Sequence, residues 1–286
     1  MNDEIKKELR SEQIKILDEI VRICKEENIK YFLDYGTLLG AVRHKGYIPW
    51  DDDIDIGMLR KDYNKFIRVA TKKLKEDFIL CYYKNEPHHF HTFAKVRLKN
   101  TIMLESLYQH LDINNGIWVD IFPYDNLNKP NSTFIRIRKK IFDVITTFIS
   151  IKLDIDYYKN TAKKIKLKKV LKFIPLKLLY SIREFACKIN FNNSSKYVTC
   201  LDEEVVKCCN GRIRNKVFPY KELLFEGKKY LVCNDYDYVL KNEYGDYMKI
   251  PKKSEQKTHN PLLLKFESGE VVDFRKEKEY ESKDTI

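Results

Sequence analysis

The sequence predicts an α+β fold in which a mixed sheet core is flanked by helices and carries a mainly helical, basic insertion. Three observations predict it. The 286 residues are 43% hydrophobic with only 9 Gly and 8 Pro, which allows a packed core and excludes fibrous and low-complexity classes. Helix and strand periodicities alternate over the first 125 residues. From about 130 to 210 glycine becomes scarce and apolar residues take helical spacing.

Elements in the first part of the chain follow one another at short intervals. Apolar residues at helical spacing predict an amphipathic helix over residues 3–27. The buried strand after it, Tyr31–Leu33, is predicted to stop at Gly36, and a helical turn follows over Thr37–Arg43. The remaining elements of this part are predicted, in order, as a strand at Ile54–Met58, a helix at Lys61–Leu74 and strands at Phe78–Tyr83, Phe90–Leu98, Ile102–Glu105 and Ile117–Phe122.

Two further elements are predicted toward the C-terminal end. Residues Leu223–Cys233 alternate around Glu226-Gly227, which is typical of a hairpin, and Asn234 is predicted to cap a helix that ends at Gly245. The charged residues after Ser268 are expected to be mobile. The predicted division is a core at 1–128, a basic helical segment at 129–210, a part that completes the core at 211–267 and a mobile tail at 268–286.

Positive charge is concentrated in one stretch of the chain. Lys129–Arg183 holds 15 basic and three acidic residues and accounts for the whole formal excess of +12, so the rest of the sequence is neutral. A protein that binds nucleic acid more often spreads positive charge over its binding face. No nucleic-acid partner is therefore expected.

Residues 163–183 within this stretch are predicted to form a cationic amphipathic helix. Apolar side chains recur at helical spacing, and lysines form a separate row. The apolar positions are Leu167, Val170, Leu171, Ile174 and Leu178, and the lysine row is Lys164, Lys168 and Lys172. Such a helix can bind an anionic membrane surface, or it can pack its apolar side on the domain with the lysines in water.

Cysteine usage and hydropathy indicate where the protein works. Seven cysteines without a C-x-x-C pair predict reduced thiols rather than disulfides. Residues Met1–Arg10 are polar and charged, unlike a secretory signal, and no stretch reaches the ~20 apolar residues of a membrane-spanning helix. We expect a cytoplasmic protein, attached at most peripherally to the inner face of the cell membrane.

The most informative residues are acidic. In Asp53-Ile54-Asp55-Ile56 the acids alternate with branched apolar residues, so on a strand Asp53 and Asp55 point to one face. Carboxylates so placed repel each other unless a cation lies between them, and Mg²⁺ prefers such oxygen ligands together with phosphate oxygens. Asp120 is a lone charge in an apolar strand, where an unpaired carboxylate is costly. If that strand lies beside the first, the three carboxylates converge.

Other interpretations of these acids stay open. A run of aspartates is often a solvated loop, and Asp120 could be a structural carboxylate with a partner of its own. A calcium-binding loop would use Asp51, Asp53 and Asp55 as ligands. Such a loop needs glycine directly after the third of them, and Ile56 stands there instead.

Gly36-Thr37 lies about sixteen residues before Asp53 and has features of a phosphate site. Glycine lets the backbone approach an anion, and the threonine hydroxyl and the first amides of the following helix can donate hydrogen bonds to it. Alone, the pair is only a turn signal. Followed by Asp-x-Asp, it becomes a pattern that indicates phosphate chemistry.

Several longer segments carry a family resemblance. They are Asp34–Arg43, Ile48–Asp55, Lys95–Arg97 with Asn100-Thr101, Val119–Pro123, and Tyr244–Met248 before Pro251 and His259. Together they resemble the LicD family, a group of lipopolysaccharide choline phosphotransferases related to the fukutin-type ribitol-phosphate transferases within the nucleotidyltransferase-fold superfamily. The resemblance covers 30–125 and 220–260, whereas 129–210 matches little. It implies that residues 1–128 form a nucleotidyltransferase-like catalytic core.

The resemblance implies transfer of phosphocholine, or a similar phospho-alcohol, from a CDP-alcohol such as CDP-choline to a hydroxyl of a cell-surface glycan, with release of CMP. It implies Mg²⁺, or Mn²⁺ in its place, and a glycan acceptor that is commonly lipid-linked. The implied metal ligands are Asp53, Asp55 and Asp120, with Asp51 as a weaker candidate and Asp120 alternatively as general base. The implied substrate contacts are Gly36, Thr37 and Arg43 for phosphate, and Lys95, Arg97 and His259 from the family pattern.

Two other functions compete with this one. A nucleotidyltransferase acting on nucleic acid or protein is disfavoured by the neutral charge outside 129–183. A non-catalytic membrane-binding scaffold is disfavoured by the complete set of acids with its phosphate loop. Aromatic rings could also hold a quaternary ammonium by cation–π attraction, or could simply be core residues. These rings are Trp50, Tyr236, Tyr238, Tyr244 and Tyr247.

Overall fold

The structure, a computed structural model, describes residues 1–155, 162–188, 195–256 and 258–275. It is a mixed sheet flanked by helices, which confirms the predicted α+β class. The helices are α1 (Asp3–Glu26), α2 (Tyr35–Arg43), α3 (Arg60–Lys73), α4 (Thr133–Lys152), α5 (Ala162–Leu171), α6 (Leu176–Cys187), α7 (Val205–Asn210), α8 (Arg214–Val217) and α9 (Tyr236–Tyr244). The strands are β1 (Phe32–Leu33), β2 (Asp55–Leu59), β3 (Phe78–Cys81), β4 (Ala94–Leu98), β5 (Ile102–Leu104), β6 (Trp118–Leu127), β7 (Tyr197–Thr199), β8 (Arg212–Ile213), β9 (Lys221–Phe225), β10 (Lys228–Val232), β11 (Leu263–Lys265) and β12 (Val271–Asp273).

The main sheet has seven strands, and its central pair places the acidic residues. The order is β1-β2-β6-β4-β3, with β7 paired to β6 and β8 paired to β7. β2 and β6 run parallel with Asp55 opposite Asp120, whereas β4 runs antiparallel to β6 with Lys95 opposite Asp120. β6 is buried along nearly its whole length, as expected of a central strand that is covered on both faces.

One hydrophobic core joins the N-terminal and C-terminal parts of the chain. α1 packs on β4 and β6 with a buried face that includes Ile16 and Ile20. Asn2 caps this helix by accepting a hydrogen bond from the Ile5 N–H at 2.9 Å. The same core contains Phe225 and Phe266. The C-terminal residues therefore belong to the same packed body as the main sheet.

Two smaller apolar clusters hold the helices of the basic segment. α4 and α6 pack against each other. Ile135, Phe142 and Cys187 share one cluster, while Ile149 and Leu179 share the other. Both clusters also include residues from the first part of the chain, such as Leu127 and Tyr108, so the segment is packed onto the core.

The basic segment is mainly helical, as predicted, and it also contributes one short strand, because residues 197–199 form β7 and pair with β6. The predicted amphipathic helix within it is wrong. Residues 163–183 do not form one helix, because α5 ends at Leu171 and α6 begins at Leu176. Pro175, the N-cap of α6, has no backbone donor and disfavours helical geometry in the residue before it, which accounts for the break. The side chain of Lys164, part of the predicted lysine row, lies outside the described residues.

The C-terminal hairpin and helix are close to the prediction. β9 and β10 form the hairpin with its turn at Glu226-Gly227, and α9 ends at Gly245. The helix cap is Asp235 rather than Asn234. The Asp235 carboxylate accepts a hydrogen bond from the Tyr238 N–H at 3.0 Å, which satisfies one of the free amides of the first turn.

The sequence predicts a mobile tail from residue 268 onward, but the ordered part of the chain extends beyond that residue. β12 lies beyond that point and pairs with β11, which in turn pairs with β5. Residues 276–286 lie outside the described residues.

All seven cysteines are buried free thiols, as predicted. Among the described residues, no helix combines the length and the apolar character needed to cross a bilayer.

Candidate active site

Strand pairing brings the predicted acidic residues together. Asp55 opens β2 opposite Asp120 of β6, and Asp53 lies in the loop just before β2 rather than within the strand. The Asp120 N–H donates to the Ile54 carbonyl at 2.9 Å, which helps to hold the register of the two strands. Asp53, Asp55 and Asp120 all line one cavity of about 630 Å³, called the first cavity below.

Burial sets the electrostatics of this cluster. Burial and the neighbouring carboxylates raise the pKa of Asp51 to about 9, and the same two causes raise the pKa of Asp55 well above its usual range. The pKa of Asp53 is also raised, mainly by burial, although the positive charge of His259 acts against the rise. Carboxylates this close together cannot all ionise in a buried site without cations nearby. The cluster therefore requires positive charge.

Two side chains supply part of this positive charge. The Lys95 Nζ lies 2.7 and 3.0 Å from the two carboxylate oxygens of Asp120, so the predicted third metal ligand already has a partner. The His259 ring places Nδ1 2.9 Å from Asp52 and Nε2 3.7 Å from Asp53. Burial lowers the pKa of His259, but the hydrogen bond to Asp52 and the charge of Asp53 outweigh it and raise the pKa to about 10. The imidazole is therefore a cation near neutral pH.

The donor set fits a divalent metal ion. Asp53 and Asp55 offer carboxylate oxygens to the first cavity, Asp51 lies beside them at the edge of a neighbouring cavity, and hard oxygen donors suit Mg²⁺ or Mn²⁺. Ligand atoms of Asp52, Asp53 and His259 also lie within 4.8 Å of one another. The hydrogen bond between Asp52 and His259 already occupies part of that group. Asp53 and Asp55 are thus the residues that would hold a metal, with Asp51 beside them.

The sequence predicts Gly36 at the end of a strand. The structure instead places it in the first turn of α2. α2 begins at Tyr35, whose φ of +41° is unusual for a residue with a side chain. A Cβ at Gly36 would lie 2.6 Å from Asp51 Oδ2. Glycine is therefore needed here because the Asp51 carboxylate packs directly against the start of the helix.

Thr37 lies beneath the carboxylates. Its Oγ1 accepts a hydrogen bond from the Asp55 N–H at 2.8 Å, and the residue is 2% exposed. It is not among the described residues that line either cavity of the site. Contact between Thr37 and a phosphate stays a prediction, whereas the observed hydrogen bond positions Asp55.

Arg43 and Arg97, both predicted to contact substrate, lie in different surroundings. Arg43 lines a second cavity of about 530 Å³, where its Nη1 donates to the Tyr247 carbonyl at 2.6 Å and its guanidinium lies 5.8 Å from the centre of the Trp50 ring. Its Nη2 is buried and has no hydrogen-bond partner within the described chain. Arg97 is 3% exposed and donates to the Gly116 carbonyl at 2.8 Å, outside the described lining of both cavities.

The carboxylates lie where the two cavities meet. Tyr35, Asp53, Asp55 and His259 line both of them. The first cavity reaches α4 and is strongly acidic, while the second lies between α2 and residues 244–259 and is rich in aromatic rings. Further residues of the first cavity include Phe93, Lys95, Asp120, Phe122, Thr146, Asp202 and Glu203. Further residues of the second include Gly36, Arg43, Trp50, Asp51, Tyr244, Tyr247 and Lys249.

Sequence reasoning misses several residues of the site. Asp52 is 1% exposed and accepts hydrogen bonds from the His259 backbone N–H as well as binding its ring. The local sequence indicates a role for Asp52 only through its position between Asp51 and Asp53, which are both predicted site residues. The polar face of α4 and the carboxylates at 202–204 reach the first cavity through long-range packing, which leaves no local pattern.

The aromatic candidates divide into two groups. Trp50, Tyr244 and Tyr247 line the second cavity, whereas Tyr236 and Tyr238 do not belong to its described lining. The latter two are partly buried against the main core. Core packing is therefore the interpretation that the structure supports for Tyr236 and Tyr238.

A mixed sheet whose parallel strand pair carries buried carboxylates, faced by a helix with glycine in its first turn, is a nucleotidyltransferase-like arrangement. The matching family model is LicD/FKTN/FKRP, nucleotidyltransferase domain, and it matches residues 28–150. The chain is 30% identical over 266 residues to the lipopolysaccharide cholinephosphotransferase LicD of Haemophilus influenzae, covering 88% of this chain and 96% of that protein. The chain belongs to the LicD family, which confirms the resemblance carried by its motifs.

Shorter similarities extend the comparison. The chain is 42% identical over 43 residues to the ribitol 5-phosphate transferase FKRP of Homo sapiens, covering 15% of this chain and 9% of that protein. It is 58% identical over 40 residues to the uncharacterized protein RP689 of Rickettsia prowazekii, covering 14% of this chain and 15% of that protein. Membership of the family supports the transferase class and, together with the acidic cluster, a divalent metal.

Replacing Thr37 by valine tests its role in positioning Asp55. Valine has nearly the same shape but leaves the buried Asp55 N–H without an acceptor, so we expect the free energy of unfolding to fall by about 1–3 kcal/mol. Thr37→Ser keeps the oxygen and should lose only about 1 kcal/mol for the missing methyl group. Urea unfolding measures both variants. A Thr37→Val variant as stable as the wild type would show that the hydroxyl oxygen does not anchor the strand.

Proposed function

We propose that this protein transfers a phospho-alcohol, with phosphocholine as the first candidate, from a CDP-alcohol to a hydroxyl group of a glycan and releases CMP. The carboxylate cluster at the junction of two cavities carries the proposal, because group transfer needs a donor and an acceptor that meet at one reactive centre. The printed names of relatives support the reaction class, since one is a cholinephosphotransferase and another a ribitol 5-phosphate transferase.

We assign the donor to the second cavity. The first turn of α2 borders this cavity at Gly36, and the start of a helix attracts phosphate groups. Arg43 and Lys249 add positive charge, and the buried Arg43 Nη2, which lacks a partner among the described residues, is available to a phosphate oxygen. Trp50 and Tyr244 offer ring faces on which a cytosine ring can stack.

We assign the acceptor to the first cavity, whose lining suits a sugar. Asp202 and Glu203 offer carboxylates that accept hydrogen bonds from sugar hydroxyls. Phe93 and Phe122, with ring centroids 4.2 Å apart, offer apolar faces on which sugar C–H groups can pack. The Thr146 hydroxyl is buried in the same lining and has no hydrogen-bond partner within the described structure. A lipid-linked glycan precursor is the acceptor that we propose.

The side chains of the cluster have different roles in the transfer. Asp53 and Asp55 would hold the metal ion, which when bound would neutralise phosphate oxygens and stabilise the charge of the transition state. Asp120, held by two hydrogen bonds from Lys95, accepts the proton of the acceptor hydroxyl. The hydroxyl oxygen then forms a bond to the phosphorus that carries the alcohol. The bond from that phosphorus to the bridging oxygen breaks, and CMP leaves with the electron pair. Protonated His259, which lines both cavities, places a positive charge near the phosphates.

Asp53→Asn and Asp55→Asn should remove most of the turnover while the protein stays folded. Each variant deletes a negative charge that burial already opposes, so the melting temperature should be unchanged or higher. Turnover, measured as CMP release from a CDP-alcohol, should fall by at least about 100-fold. Asp77→Asn, at an exposed aspartate outside the described lining of both cavities, is the matched control. Wild-type turnover in either site variant would refute the roles assigned to these carboxylates.

The reaction products separate the proposal from its competitors. With Mg²⁺ and a glycan acceptor such as lipopolysaccharide or teichoic acid, the protein should release CMP from CDP-choline, CDP-ribitol or another CDP-alcohol. A nucleotidyltransferase acting on nucleic acid or protein would instead release pyrophosphate from a nucleoside triphosphate. A non-catalytic scaffold would release neither product. The CDP-alcohol with the highest kcat/KM identifies the alcohol that is transferred.

Deleting one polar group in either cavity should raise the KM only for the substrate that binds in that cavity. Arg43→Ala removes a charged donor and should raise the KM for the CDP-alcohol by about 10- to 100-fold. Thr146→Val removes a neutral hydroxyl and should raise the KM for the acceptor by about 2- to 10-fold, whereas Thr146→Ser should restore it. Initial rates over a grid of both substrate concentrations give the two values. A rise in the opposite KM for either variant would reverse the assignment of the cavities.

A further inference from the structure

Exposed apolar side chains line one side of α4 and one side of α6. Those on α4 follow one another at intervals of three or four residues, and so do those on α6, which places each set on one side of its helix. The two helices pack against each other. We call the surface they form the α4–α6 face. Its exposed residues are Phe134, Ile137, Ile141 and Val144 on α4, and Leu178, Ile182 and Phe185 on α6.

Arg138 joins the two halves of the α4–α6 face. Its guanidinium carbon lies 4.7 Å from the centre of the Phe134 ring and 5.4 Å from the centre of the Phe185 ring. Its Nη1 donates to the Lys188 carbonyl at 2.7 Å, which ties the side chain to the end of α6. The face is therefore continuous across the two helices. Single exposed apolar residues are common on protein surfaces, but a continuous set marks an interaction surface.

We propose that the α4–α6 face docks on a membrane that contains anionic lipid. Exposed basic residues on the same helices, among them Arg136, Lys140 and Lys177, belong to the stretch that carries the whole positive excess of the chain. Apolar side chains can enter the boundary between headgroups and acyl chains while lysines bind anionic headgroups. A second copy of the chain fits the face less well, because the basic residues of the two copies would repel each other.

The same helix links this face to the site. Asp143, Thr146 and Ser150 line the first cavity, and at about 100° per residue they lie on nearly the opposite side of α4 from Ile137 and Ile141. A helix with its side chains is about 10 Å across. Docking would hold the first cavity about one helix diameter from the lipid headgroups, within reach of a lipid-anchored acceptor. Only this last step rests on the proposed function.

Vesicle sedimentation tests the docking. The full-length wild type should sediment with phosphatidylcholine–phosphatidylglycerol vesicles at low salt, and much less at high salt or with phosphatidylcholine alone. Ile137→Glu combined with Phe185→Glu places charge on the face and should lower the partition coefficient by about tenfold or more. Val206→Glu, at an exposed valine of α7, is the matched control and should bind like the wild type.

A melting temperature equal to that of the wild type shows that the double variant is folded. If it melts lower, Lys140→Gln combined with Lys177→Gln serves instead and should weaken the salt-sensitive part of binding. Equal binding by these variants and the wild type, or no wild-type binding to anionic vesicles, would overturn the proposal. A wild-type dimer that Phe185→Glu dissociates would also overturn it, because a second copy would then cover the face. The assay contains neither donor nor acceptor, so normal vesicle binding without CMP release contradicts the proposed function alone.

Discussion

Like charges confined in a buried site are the constraint on which this structure depends. Asp53, Asp55 and Asp120 converge at the centre of the main sheet. Two unit charges 4 Å apart repel each other by about 4 kcal/mol at an effective dielectric constant of 20. Parallel strand pairing, the Thr37 hydroxyl and the Lys95 ammonium nevertheless hold the carboxylates in place. The hydrophobic core offsets part of this cost, the pKa values of Asp51 and Asp55 rise in response, and a bound divalent cation would favour their charged forms.

A second buried network supports the helix in front of the cluster. Asp34, the N-cap of α2, is fully buried and accepts a hydrogen bond from Arg212 Nη1 at 2.7 Å. Arg212 also donates to Glu203 at 3.0 Å, and the Tyr35 hydroxyl donates to the same carboxylate at 2.9 Å. Removing one partner from a buried ion pair costs about 3–5 kcal/mol in other proteins, so this network holds the unusual backbone of Tyr35 firmly. Because Arg212 lies in β8, the N-terminal half of the site depends on the part of the chain that follows the basic segment.

Local patterns predict the acidic residues and the fold class, but not the contacts between distant segments. Strand alternation indicates that Asp53 and Asp55 share a side, and the apolar neighbours of Asp120 indicate that it needs a partner. That partner, Lys95, depends on the pairing of β4 with β6, which no local pattern encodes. β7 has only three residues, too few for alternation to distinguish a strand from a loop. In residues 163–183 the helical spacing of apolar residues conceals the break at Pro175. Tertiary packing, which local spacing does not encode, decides which apolar side chains of α4 and α6 stay exposed.

Thermal unfolding with and without a divalent cation tests most directly whether the carboxylate cluster is a metal site. A ligand that binds only the folded protein raises its stability with the logarithm of the ligand concentration once that concentration exceeds the Kd. We expect Mg²⁺ or Mn²⁺ to raise the melting temperatures of the wild type and of Asp77→Asn, and to leave that of Asp55→Asn nearly unchanged. An equal response from all three proteins, or no response from the wild type, would contradict the assignment.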